Sequence, residues 1–166
     1  MSSSLADRAE QIIKLSQERH TTLATVESCT AGSLAHLLSQ AKGASKVLHG
    51  GFVVYTKANK IAVVGVPKEL VDAHTAVSAE VAQAMADGGL NLCPADIVVA
   101  ITGVAGPEPD EDDNPVGLVF VAISARDGRK GVVRHDYGET SKQQICGGAM
   151  AAALDLIEQL LEARSR

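Results

Sequence analysis

The chain has 166 residues, 46% of them apolar, no Trp, and a formal net charge of −5. That size favours one domain over residues 1–166, with a core of closely packed Ala, Val, Leu and Ile. The acid excess, with no dense Lys/Arg cluster, excludes a duplex-binding face driven by phosphate neutralisation, and no segment has the ~18 consecutive apolar residues of a membrane span.

Leu5, Ile12, Ile13 and Ser16 share a stripe that predicts a helix from Leu5 to Arg19. Thr21 to Glu27 reads as a strand, and Thr30 to Gln40 as a helix with Leu34, Leu37 and Leu38 inward. Ser28 and Cys29 therefore fall on a strand-to-helix turn. His49 to Thr56 is rich in β-formers, and Lys57 to Val64 reads as a helix that Gly65 ends ahead of Pro67. Pro67 to Ala73 suits a short helix with Pro in its first turn. Ser78 suits the N-cap of the next helix, where Val81, Met85, Gly88 and Leu92 recur at helical spacing. Asp96 to Thr102 is apolar enough for a strand buried on both faces. Gly103 to Pro115 reads as a long loop, and its acidic run Glu108 to Asp113 as a solvated, mobile stretch. Val116 to Ala125 and Gly131 to Tyr137 read as a hairpin turning at Asp127-Gly128. Ser141 to Ala163 closes the chain as a helix with apolar residues on more than one face, a pattern that suits a partner subunit. Helices placed between strands imply an α/β layered domain with a mixed sheet.

Three segments carry candidate chemistry. In the first, Ser28 sits where a strand gives way to a helix, whose first N–H groups lack internal partners. Such a place suits either a helix N-cap or a nucleophile beside an oxyanion site built from the amides of Thr30, Ala31 and Gly32. Cys29 is a second nucleophile candidate, or a buried structural thiol. In the second, Tyr55 ends a strand and Lys60 lies one turn into the next helix. A desolvated Lys can accept a serine proton; a solvated Lys on a helix face is the plainer alternative. In the third, Thr102 ends a buried strand and Gly103 and Gly106 follow, where glycine allows close approach of backbone to ligand. The five histidines are scattered without a metal-ligand spacing, and the acidic run lacks the glycine and terminal Glu of an EF-hand loop, so no metal is expected. The three cysteines, Cys29, Cys93 and Cys146, cannot complete a disulfide framework. Free thiols and an opening stretch without a signal-like apolar run point to the cytoplasm.

Taken together, six segments in one order carry a resemblance. They are Glu27-Ser28-Cys29-Thr30-Ala31-Gly32, Gly51-Phe52-Val53-Val54-Tyr55 with Lys60, Gly65-Val66-Pro67, His74-Thr75-Ala76-Val77-Ser78, Thr102-Gly103-Val104-Ala105-Gly106-Pro107 and Pro115-Val116-Gly117. From about Leu5 to Leu161 the chain resembles the C-terminal domain of the competence/damage-inducible protein CinA, the family that includes stand-alone PncC-type amidases. The resemblance implies a three-layer α/β/α sandwich with a mixed, mostly parallel sheet. It implies hydrolysis of nicotinamide mononucleotide to nicotinate mononucleotide and ammonia, with no cofactor and often in a homo-oligomer. The family's catalytic serine, tyrosine, lysine and threonine fall on Ser28, Tyr55, Lys60 and Thr102. This chain departs from the family at Ala31, where a second Gly is common, and in its acidic loop. It also has Lys142 and Cys146 where the family usually has two arginines; Lys142 is the expected phosphate contact. Two other readings stay open: a Ser/Lys amidase acting on another small amide, and a non-catalytic partner protein of competence or DNA damage.

Overall fold

A computed structural model describes residues 3–163; Met1, Ser2 and residues 164–166, which include the first residues of the opening stretch, lie outside that range. In chain order the elements are α1 (Leu5–Glu18), β1 (Leu23–Glu27), α2 (Ser33–Ser39), β2 (Leu48–Val53), α3 (Lys57–Val64), α4 (Lys68–His74) and α5 (Ala79–Leu92). They continue with β3 (Ile97–Gly103), β4 (Leu118–Ala125), β5 (Lys130–Asp136) and α6 (Lys142–Glu162). The strands form one sheet in the order β2-β1-β3-β4-β5. β1 pairs in parallel with β2 and β3, whereas β3–β4 and β4–β5 are antiparallel, so only β4 runs against the other strands. The result is a three-layer α/β/α sandwich on a mixed sheet. α1, α2 and α6 cover one face, and α3, α4 and α5 the other.

Local chemistry sets the element ends. Ser4 and Asp7 form a capping box on α1, and Ser141 and Gln144 another on α6. Ser78 accepts from Val81 N–H to start α5, and Gly65 ends α3 in the left-handed conformation. β3 and β4 are buried along nearly their whole length, as central strands covered on both faces must be. The edge strands β2 and β5 alternate between partly buried and exposed residues. In α5 the buried stripe is Val81, Ala82, Met85, Ala86 and Gly89, while Leu92 is exposed. A Cβ on Gly88 would lie 1.8 Å from the Val64 carbonyl oxygen, and one on Gly89 would lie 2.5 Å from Val26 Cγ2. These glycines let α5 seat directly on α3 and the sheet.

Within the chain α6 packs against α1 and against strands β3 and β4. One sequence expectation changes. The helix expected from Thr30 begins at Ser33 instead, because Ala31 (φ 49) and Gly32 (φ 94) adopt left-handed backbone. Gly does so without steric cost, whereas Ala31 does so at a cost of about 1 kcal/mol.

Candidate active site

Ser28 follows directly from β1, and backbone bonds clamp it between the neighbouring parallel strands. Its N–H donates to the Ile101 carbonyl at 3.0 Å, and the Glu27 carbonyl accepts from Val54 N–H at 2.8 Å. The β1–α2–β2 connection covers one face, and the return to β3 through α3, α4 and α5 covers the other. Ser28 thus stands at the carboxyl end of β1, where the strand order reverses, the usual place for a ligand crevice in such sheets.

Glu27 builds the turn beneath Ser28. Its carboxylate is buried and accepts four hydrogen bonds: Thr25 Oγ1 at 3.0 Å, Thr30 Oγ1 at 2.7 Å, Leu34 N–H at 2.8 Å and Ala35 N–H at 3.0 Å. A negative charge at a helix N-terminus is favourable, and here it also satisfies two otherwise unpaired donors. The amino end of α2 is therefore filled by the chain's own carboxylate. Glu27→Gln is expected to lower stability by about 2 kcal/mol, because in either orientation the amide NH₂ would face a backbone donor, Leu34 N–H or Ala35 N–H, that cannot rotate away. Chemical denaturation measures this; an unchanged midpoint would show that the charge and its lone pairs are not needed there.

Lys60 enters from α3, where it and Val64 form the buried face. Its side chain is nearly inaccessible, with the residue 2% exposed. Nζ donates to Ser28 Oγ at 2.8 Å and to the Val54 carbonyl at 3.3 Å. Ser28 Oγ in turn donates to the Tyr55 carbonyl at 3.4 Å. Burial lowers the Lys60 amine from its ordinary value to about 8. Burial pushes the neighbouring Cys29 thiol up to about 12, which leaves it a poor nucleophile. Above Ser28 and Lys60 lies a cavity of about 590 Å³, walled by the start of α3, Ala76 and Val77, and the loop after β3.

The CinA C-terminal domain model matches residues 5–161. The chain belongs to the CinA C-terminal domain family. A putative competence-damage inducible protein of Caldanaerobacter subterraneus is 40% identical over 93% of this chain, and one from Symbiobacterium thermophilum is 45% identical over 71%. The chain spans 37% and 28% of the lengths of these two curated relatives. The crystal structure of the competence/damage inducible protein CihA from Agrobacterium tumefaciens is similar, with a TM-score of 0.91 and 34% identity, covering 96% of this chain and 99% of that one. A CinA superfamily protein from Escherichia coli gives a TM-score of 0.89 at 30% identity, covering 95% and 90%.

Within this CinA domain the other expected site residues separate into two groups. Gly103, Gly106 and Tyr55 line the cavity with Ser28 and Lys60. The Tyr55 ring is half exposed at the rim, and among the described residues its link to Ser28 is through its carbonyl. Thr102 is fully buried, and its hydroxyl donates to the Ala76 carbonyl at 2.8 Å, so it holds the cavity wall without lining it. Thr30 is spent on Glu27, and Ala31 and Gly32 form the turn outside the cavity. Lys142 is exposed at the start of α6, also outside it. Among the described residues no cluster of His, Cys, Asp and Glu is arranged to hold a metal ion. No helix of the described residues is long and apolar enough to cross a membrane.

The acidic run is largely exposed, at Glu108, Glu111 and Asp113, but it is tied to the cavity rim by hydrogen bonds and ion pairs. Asp110 accepts from the N–H groups of Asp112 and Asn114 and from Asn114 Nδ2. Asn114 Nδ2 also donates to Thr75 Oγ1 at 3.0 Å. Lys57, at the first turn of α3, bridges to Asp112 at 2.7 Å and Glu111 at 3.4 Å. The loop is thereby strapped across the cavity mouth to α3. Glu27, Lys57 and Asn114 received no role from sequence reasoning. Only Glu27 left a signal, as an acid closing an apolar strand just ahead of the turn.

Proposed function

We propose that this domain is an amidohydrolase in which Ser28 is the nucleophile and Lys60 its base. The observation that carries the reading is the 2.8 Å contact between a buried amine and a serine hydroxyl at the floor of a cavity. A neutral Lys60 accepts the Ser28 proton as Oγ attacks the carboxamide carbon. The ammonium of Lys60 then protonates the leaving nitrogen, and ammonia departs. Water adds to the acyl-serine ester and its proton passes to Lys60; as the acyl C–Oγ bond breaks, Lys60 returns that proton to Ser28 Oγ and the carboxylic acid is released. The N–H groups of Cys29, Ala105 and Gly106 have no acceptor among the described residues and belong to the cavity lining, which suits them to the oxyanion. This replaces the Thr30–Gly32 amides in that role. Tyr55 adds its carbonyl to the Ser28 contacts and a ring face at the rim.

The substrate implied by the family resemblance is nicotinamide mononucleotide, giving nicotinate mononucleotide and ammonia. The direct test mixes purified protein with nicotinamide mononucleotide and measures both products. The rate has a pH signature. With the Lys60 amine at about 8, roughly one molecule in ten carries the neutral base at pH 7. kcat/KM is expected to rise with pH through about 8 and level off above it. A profile flat from about pH 6 to about pH 9 would remove Lys60 as the base.

A further inference from the structure

The cavity above Ser28 is lined by three carboxylates, Glu108, Asp110 and Glu111, and by two amines, Lys57 and Lys60. Neither amine is available to an anionic substrate group. Lys57 is bridged to Asp112 at 2.7 Å and to Glu111 at 3.4 Å. Lys60 points its nitrogen at Ser28 and the Val54 carbonyl. Among the described residues no arginine lines the cavity, and Lys142 lies outside it. The floor, made by Ser28 and Lys60 at 5% and 2% exposure, decides where the reacting group sits. The acidic wall decides what charge the rest of the ligand can carry.

We propose that this cavity selects a carboxamide borne on a cationic scaffold without phosphate, and that Glu108, Asp110 and Glu111 set this preference. The inference rests on the amidase reading, and departs from the phosphorylated substrate that the family resemblance implies. Carboxylates around a partly closed cavity favour a positive charge beside the carboxamide and disfavour a dianion. Because Glu108 and Glu111 are exposed, part of the effect is screened by salt.

Two probes that differ only in phosphate test this: nicotinamide riboside and nicotinamide mononucleotide. Both carry the cationic pyridinium ring. At low ionic strength kcat/KM is expected to be about tenfold higher for the riboside, and the ratio to fall toward one in the Glu108→Gln/Glu111→Gln double variant and in high salt. Binding of the same pair to Ser28→Ala protein, read by calorimetry, reports the charge preference without turnover. Tighter binding of the riboside with no ammonia from either compound would sustain the charge selection and sink the amidase. Equal or tighter binding of the mononucleotide, a ratio unmoved by the double variant, or binding of neither compound would overturn the selection.

Discussion

Ser28→Ala is expected to abolish ammonia release, with a fall in kcat of at least about 1000-fold. The hydroxyl is the atom to which the buried amine points, and Cys29, with its thiol raised to about 12, cannot take over. Stability should hardly change. The hydroxyl's other contact is a long 3.4 Å bond to the Tyr55 carbonyl, and removing it leaves the Glu27-centred turn intact. The variant should therefore keep the wild-type circular dichroism and melt within a few degrees of it. Turnover at the wild-type rate would exclude an acyl-serine pathway and leave at most direct attack of water.

Lys60→Met separates chemistry from stability in opposite directions. Loss of a general base removes about 100- to 10,000-fold of the rate. The same change should make the protein more stable at neutral pH. In the native state the amine is pushed from 10.5 down to about 8 by burial. Below about 8 it is protonated in both native and unfolded chains, and the native state bears the whole cost of a buried charge. Between about 8 and 10.5 that cost fades, and above 10.5 it is absent. Wild-type stability should thus rise across that interval, and the variant should lose the rise. Allowing for the two hydrogen bonds that Met cannot make, the gain at pH 7 is about 2 kcal/mol. Met is unbranched and of similar length, so it fills the same buried space on the inner face of α3. A variant that is inactive but less stable than wild type at pH 7 would show that the ammonium is well solvated or well paired in the native state.

Much of this molecule can be read from residue order. Helical spacing, Ser and Gly caps and the apolar run of β3 place most elements within a few residues of their observed ends. Ser28 and Lys60 could be nominated because a strand-to-helix turn and the first turns of the next helix are local features. What residue order did not show has one cause. Thr102 and Thr30 carry hydroxyls suited to a ligand, but each donates to a group distant in sequence or folded back on it: Ala76 in one case, Glu27 in the other. The acidic run is exposed as expected, but nothing near it in sequence reveals the ties to Lys57 and Thr75. The packing of α6 on α1, nearly the whole chain away, is likewise invisible to local periodicity.

Residue order alone therefore settled the α/β class, the strand-to-helix turn that carries Ser28 and the family to which the chain belongs, since each depends on short-range pattern. The fold alone decided that Lys60 loses its water, that Glu27 fills the end of α2, and that three carboxylates wall the cavity. Those outcomes depend on burial and on charges brought together from distant strands and loops, and desolvation is a property of the packed interior.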